Sequence, residues 1–377
     1  MPAEKKPSRN KGKTRVRYAV VGLGYIAQTA VLPAFANAKN SELVALVSDD
    51  PTKLRSLSRK YKVPQTYSYE EYDRCLESGA IDVVYIALPN SMHRDYTVAA
   101  CRAGIHVLCE KPMAVTEAEC GDMIAAAAET NVKLMIAYRL HFEEANLKAV
   151  EIAQSGKLGK LRAFNSLFTM QVKDGDIRVQ SDLGGGTLYD IGIYCINAAR
   201  AIFQADPVEV TAMSANNGEK RFAEIDEMTS AILRFPNDRL ATFTSSFGAA
   251  DISSYQIVGT EGNLRVDPAY EFADELKHSV TIKGRTRERS FARRDQFAPE
   301  LIYFSDCVIN NQNPEPSGKE GLADVRIIRA LYESAEKGKP IELADFDRDT
   351  RPTIEQEIHE PPPKKPELVK AASPNRK

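Results

Sequence analysis

The chain has 377 residues, enough for two domains that each bury a core. Its 43% hydrophobic and 27% charged residues and net charge of −2 describe a soluble globular protein, with no bulk electrostatic reason to expect nucleic acid as a partner. No uninterrupted apolar run is long enough to span a bilayer, so no membrane partner is expected.

Residues 1–15 are basic and lack the apolar stretch of a secretory signal, which predicts a solvated, disordered tail. From Val16 the chain alternates. Apolar, β-branched runs at Val16–Val21, Leu43–Val47, Ile81–Leu88, Ile105–Leu108 and Val132–Ala137 are separated by helix-like stretches near 26–38, 51–61, 91–103 and 116–130. Strands alternating with helices predict βαβ units and a parallel sheet covered on both faces, here a dinucleotide-binding domain over 16–138.

The first strand runs into Gly22-Leu-Gly24-Tyr25-Ile26-Ala27 and then a helix. Glycine at 22 permits the tight turn, and glycine at 24 lets the backbone approach a pyrophosphate. The helix N-terminus then offers free N–H groups and a positive dipole end. The second strand ends in Ser48-Asp49-Asp50, followed by Lys53. Asp49 suits the adenosine ribose hydroxyls of NAD, whereas Ser48 and Lys53 suit the 2′-phosphate of NADP. A third reading has the two aspartates only capping the next helix. The residues leave the choice between NAD and NADP open.

Ligands of a doubly wound sheet sit beyond the carboxyl ends of its strands. Leu88 ends the run Ile81–Leu88 and Asn90, Ser91 and His93 follow it, Glu110-Lys111-Pro112 follow Ile105–Leu108 and Arg139 follows Val132–Ala137, so all are expected around the nicotinamide end. Proline at 112 allows a cis peptide.

Beyond residue 138 the pattern changes. Longer strands with polar alternation are predicted at Leu161–Val172, Pro207–Ser214, Met228–Phe235, Arg239–Ser246 and Ser254–Val258, with a hairpin turn at Pro236-Asn-Asp238. Strands that succeed one another with little helix between them predict a mainly antiparallel sheet, and the second domain is taken as 139–346. Helices are expected near 187–203 and 320–338. On the first of these, Asp190, Tyr194 and Asn197 form one polar stripe beside an apolar stripe of Ile191, Cys195, Ala198 and Ile202. The proline- and lysine-rich residues 351–377 predict a disordered tail.

Oxidising an alcohol carbon requires loss of a hydride and of the hydroxyl proton. A tyrosine, a poor base at its reference pKa of about 10, becomes competent beside a lysine ammonium. Lys111 and Tyr194 are the expected catalytic pair, with Asp190 orienting the lysine or a substrate hydroxyl. The six cysteines are scattered, with no Cys-x-x-Cys pair, so no metal is expected and a reducing, cytoplasmic location is.

The segments GLGYIA, LPNSMH, CEKPMA and GGGTLYDIGIYCINAAR resemble the glucose–fructose oxidoreductase, inositol dehydrogenase and rhizopine catabolism family over roughly residues 16–345. Many members of that family have histidine where this chain has Tyr194, and the tyrosine, with Asn197, resembles the glucose–fructose oxidoreductase branch. The resemblance implies a Rossmann domain, a C-terminal domain with a large open sheet, and homodimers or homotetramers built by packing those sheets. It implies Lys111, Asp190 and Tyr194 at the catalytic centre and Arg178 as a contact to substrate or cofactor. The activity implied is NAD- or NADP-dependent hydride transfer to or from a sugar or polyol. Reduction of an anhydro- or keto-sugar and non-catalytic sensing of the dinucleotide are the competing readings. The branch's named enzyme carries a twin-arginine signal and has glycine where this chain has Asp49, two points at which the present sequence departs from it.

Overall fold

The computed structural model describes residues 15–346 and 352–375, so the tail expected at the N-terminus lies almost wholly outside the described residues. Six parallel strands form the first sheet: β1 (Val16–Val21), β2 (Ser41–Val47), β3 (Gln65–Tyr67), β4 (Val83–Ile86), β5 (His106–Glu110) and β6 (Leu134–Ala137). Their order is β3-β2-β1-β4-β5-β6. The order reverses between β1 and β4, which opens a crevice at their carboxyl ends. β4 is buried along its whole length, as strands covered on both faces must be. β3 was not foreseen: its polar, half-exposed Gln65-Thr-Tyr67 lies on an edge and carries no apolar run.

The second sheet holds β7 (Leu161–Thr169), β8 (Glu209–Ala215), β9 (Met228–Phe235), β10 (Arg239–Ser246), β11 (Ile252–Gly259), β12 (Gly262–Val266), β13 (Leu276–Ile282), β14 (Arg285–Phe291) and β15 (Ile341–Glu342). They lie in the order β14-β13-β12-β11-β7-β10-β9-β8-β15. All its strand pairings are antiparallel except β7 with β10. Pro236, Asn237 and Asp238 form the three-residue turn of the β9–β10 hairpin, with Asn237 and Asp238 both at positive φ, as a turn that follows the strand twist favours. In β9, buried Thr229, Ala231, Leu233 and Phe235 alternate with exposed positions. The buried side packs on helices that include Ile193–Phe203 and Gly318–Lys337. The opposite side exposes Met213, Ile232, Leu240 and Ile252, with Met213 78% accessible.

The two halves share a core. Helix Ala298–Asn310, from the C-terminal part of the chain, lays Leu301 and Phe304 against Tyr18 and Val20 of β1. Ser305 Oγ lies 2.8 Å from both Tyr18 Oη and Ser41 Oγ.

Residues 352–375, expected as part of a disordered tail, run along the body mostly as coil, with one 3₁₀ turn at Ile354–Gln356. Gln356 Nε2 donates to the Glu315 carboxylate at 2.7 Å, the Asp295 N–H to Glu360 O at 3.1 Å and the Val369 N–H to Gln28 Oε1 at 2.7 Å. Backbone and side-chain hydrogen bonding, which proline and charge content does not reveal, places this segment.

Candidate active site

A cleft of about 1050 Å³ lies between the carboxyl ends of the first sheet and the ends of the central strands β7 and β11 of the second. It matches the upper end of small-ligand pockets, about 300–1,000 Å³, and has room for a dinucleotide and a small polar substrate together.

At its floor is the turn after β1. Gly22 has φ +92°, and a Cβ there would lie 2.4 Å from Ala87 O, so only glycine fits. A Cβ on Gly24 would meet nothing within 4 Å, because that position faces the open cleft. This empty space beside backbone N–H groups at a helix start fits a pyrophosphate. Tyr25, Ile26, Lys53, Leu88, Asn90, Glu110, Lys111 and Arg139 also line the cleft. Asn90 is tied across it, donating to Gly184 O at 2.8 Å.

Three expected contacts are placed elsewhere. His93 is fully buried, with its ring nitrogens 2.9 and 3.0 Å from the carbonyls of Pro112 and Leu88. It clamps the turn after β4 to the Glu-Lys-Pro turn rather than touching a ligand, and burial pushes its pKa down. Ser48 is buried, with its hydroxyl accepting from the Asp50 N–H at 3.3 Å. Asp49 accepts from the Tyr69 N–H at 2.7 Å, while Asp50 caps helix Pro51–Tyr61 through the N–H groups of Thr52 and Lys53. The capping alternative therefore describes Asp50, and Asp49 serves the neighbouring loop.

At the other end of the cleft the residues predicted to act together do meet. The Lys111–Pro112 peptide is cis. Lys111 Nζ donates to Asp190 O at 2.7 Å and to Asp190 Oδ1 at 3.3 Å, and it stands 4.8 Å from the centre of the Tyr194 ring. Arg178 Nε donates to Asp190 Oδ2 at 2.7 Å. Burial would raise the Asp190 pKa, but the Arg178 and Lys111 charges overcome it and hold the carboxyl at about 2. The aspartate is thus an anion that fixes two cations. The Gly184-Gly-Gly186 run makes this approach possible. A Cβ on Gly185 would lie 2.5 Å from Arg178 O, and one on Gly186 2.5 Å from the Tyr332 hydroxyl.

Arg139 does more than line the cofactor end. Its Nε donates to Tyr194 Oη at 3.3 Å, and its guanidinium carbon is 5.0 Å from the ring centre. Its Nη atoms bond Gln296 Oε1 and Tyr270 O, which lock it in place. Asn197, by contrast, leaves the stripe it shares in sequence with Tyr194. It is buried, accepts from His141 Nε2 at 2.8 Å and donates to Glu320 and Asp324 at 2.9 Å each.

Several neighbours escaped the sequence. Phe168, Tyr270 and Phe272 surround the tyrosine and arginine, and Asp176 accepts from Arg178 at 3.2 Å. These stand on strand ends and loops with no motif. Glu110 accepts from Tyr85 Oη at 2.8 Å and lies near Glu300, whose two oxygens have no hydrogen-bond partner among the described residues. Burial and the Glu110 charge push the Glu300 carboxyl well up. A lone glutamate on a helix gave no signal of this pairing.

A glycine turn at the switch point of a parallel sheet, facing a lysine–tyrosine pair from two domains, defines a dinucleotide-binding protein of the two-domain oxidoreductase class. The profile described as "Oxidoreductase family, NAD-binding Rossmann fold" matches residues 16–138, and that of the "GFO/IDH/MocA C-terminal domain" matches 146–265. A D-xylose 1-dehydrogenase [NADP(+)] of Haloarcula marismortui is 33% identical over 87% of this chain and 93% of its own. A dTDP-3,4-didehydro-2,6-dideoxy-alpha-D-glucose 3-reductase of Saccharopolyspora spinosa is 31% identical over 77% of this chain and 86% of its own. Among solved structures, the aldose-aldose oxidoreductase of Caulobacter crescentus, complexed with glycerol, superposes with a TM-score of 0.84. It is 36% identical and covers 87% of this chain and all of its own. The chain belongs to the glucose–fructose oxidoreductase, inositol dehydrogenase and rhizopine catabolism (GFO/IDH/MocA) family.

Proposed function

We propose that the protein is an NADP-linked aldose dehydrogenase, removing a hydride from the anomeric carbon of a sugar. The observation that carries this reading is the meeting of Lys111, Asp190 and Tyr194 at the cleft, with Asp190 joined directly to the lysine. Names of relatives support the substrate class: a xylose dehydrogenase and an aldose-aldose oxidoreductase stand among them.

When bound, the nicotinamide supplies the acceptor for the hydride. As C1–H is lost, the hydroxyl proton must leave as well, and on this reading Tyr194 Oη takes it. Two cations flank that side chain, Arg139 Nε at 3.3 Å from the oxygen and the Lys111 ammonium over the ring. Both stabilise the negative charge that develops on oxygen in this step, and they are held in advance by Asp190, Tyr270 and Gln296. In the reverse direction Lys111 polarises the carbonyl. Arg178, bound to Asp190, orients the remaining sugar hydroxyls.

We further infer a homodimer or homotetramer through the open face of the second sheet, where Met213, Ile232 and Leu240 are exposed on the adjoining strands β8, β9 and β10, and Ile252 on β11 beyond β7. A cytoplasmic location is supported by six cysteines that are all free and buried. Among the described residues no helix is long and apolar enough to cross a membrane.

The test is hydride transfer with a panel of aldoses and polyols, followed at the nicotinamide absorbance. Aldoses should turn over with NADP. A wild-type protein that binds dinucleotide but transfers hydride to or from none of the panel overturns the reading in favour of dinucleotide sensing.

A further inference from the structure

The C-terminal segment ends across the mouth of the cleft. Gln28, on the helix behind the phosphate turn, holds Val369 by both backbone groups: its Nε2 donates to Val369 O at 2.9 Å and its Oε1 accepts from the Val369 N–H at 2.7 Å. Residues 370–375 then line the cleft together with Gly24, Tyr25 and Lys53. On the far wall the Lys173 N–H donates to Pro374 O at 3.0 Å, Asn375 bridges to Val172, and Asn375 Nδ2 donates to Asp251 at 3.3 Å. One short strap therefore joins the two domains over the opening.

Lys370 sits on that strap at the carboxyl end of β2, where the adenosine ribose of a dinucleotide lies. Its Nζ is 3.2 Å from Asp50 Oδ2, and it shares the cleft wall with Lys53. Without Lys370 this rim carries Asp49, Asp50 and one lysine, a net negative charge that opposes a phosphate. With Lys370 the charges balance, Asp50 is neutralised by an ion pair, and two ammonium groups face the same space. Asp49 accepts from the Tyr69 N–H with one of its oxygens.

Resting on the reading of this cleft as a dinucleotide site, we propose that Lys370 is a specificity-determining residue: with Lys53 it holds the 2′-phosphate of NADP, and the strap that carries it must lift for the dinucleotide to exchange. An ammonium recognises phosphate as a point charge, so arginine can replace it but a neutral side chain cannot. A strap bonded to both walls crosses the opening while those bonds hold.

The test measures binding rather than turnover. In calorimetric titrations Lys370→Met should weaken NADP about tenfold and NAD less than twofold, and Lys370→Arg should restore the preference. In stopped-flow displacement, a chain ending at Leu368 should release both dinucleotides about tenfold faster than the full chain. Equal changes for NADP and NAD in Lys370→Met, or none, overturn the specificity role, and unchanged release from the shortened chain overturns the gating role. A full-length protein that binds neither dinucleotide fails the reading of the cleft as a whole, whereas binding indifferent to Lys370 and to the strap fails this proposal alone.

Discussion

One helical segment, Leu188 to Phe203, serves two ionic clusters of opposite character. Its N-terminal end holds Asp190 and Tyr194 against Lys111, Arg178 and Arg139. Its C-terminal end holds Asn197 and Arg200 against Glu320, Asp324, Asp206 and His141. The side chains of Lys111, Asp190 and Arg178 keep 13–22% of their surface, while those of Arg200 and Asp324 keep none. Charge alone does not mark a catalytic centre. A cluster can do chemistry where its cations face a cleft, and it can only hold the fold where every donor is spent on a sealed partner.

The comparison can be broken from its sealed end. Arg200→Met should destabilise the protein by about 3–5 kcal/mol in urea unfolding, because Glu320 and Asp324 lose the charge that compensates them. Dinucleotide affinity of the folded molecules should be unchanged; a shift there would mean that the two clusters are one system.

The open end should respond in rate instead. Lys111→Met and Tyr194→Phe should each lower turnover on the order of a hundredfold with dinucleotide binding intact, as removal of a general acid–base group does. The double variant should be little worse than either, because the pair acts as a unit. Additive losses would show that the two residues work separately.

Acidity provides a finer contrast. Burial opposes the charged form of His141, but Glu315 at 3.3 Å prevails and raises its pKa to about 9. The folded value lies above the unfolded one, so the stability His141 adds is complete below about pH 6.5 and is lost as pH rises through 9. Its loss should amount to something on the order of 1–3 kcal/mol, visible as a stability gap between wild type and His141→Gln that narrows from pH 6 to 9.5. Asp190 runs the other way. Held at about 2, it contributes above its unfolded pKa and loses that contribution only in acid.

The smallest effect belongs to Asp49. Because its carboxylate is bonded to the Tyr69 N–H, Asp49→Gly should shift preference toward NADP only about threefold, through loss of a screened like charge. A shift of a hundredfold in paired titrations would place Asp49 on the ribose after all.

Much of this was legible in the sequence because it depends on local periodicity. Helix Pro51–Tyr61 and strands Val16–Val21, Met228–Phe235 and Arg239–Ser246 stand at the boundaries that alternation and turn residues predict. The meeting of Lys111 with Asp190 and Tyr194 was legible from spacing and resemblance together. Other features depend on partners far along the chain. Asn197 fits the stripe of Tyr194 by helical spacing, yet acids on helix Gly318–Lys337 draw it inward. His93 looked like a ligand because it follows a strand end, and only tertiary carbonyls show it to be a clamp. β14 was missed because its Arg285-Thr-Arg-Glu-Arg run has no apolar alternation, as suits an edge strand that must resist pairing with other chains.

The sharing of a core between the two halves bears on how the protein comes into being. Helix Ala298–Asn310 covers β1 and β2, and it is synthesised some 250 residues after them. While it is still on the ribosome, the nascent nucleotide-binding half shows Tyr18, Val20 and Leu46 on an uncovered face. Excised at residue 138, that half would carry an apolar surface in need of a cover, and expression of the fragment alone would favour aggregation over a soluble domain.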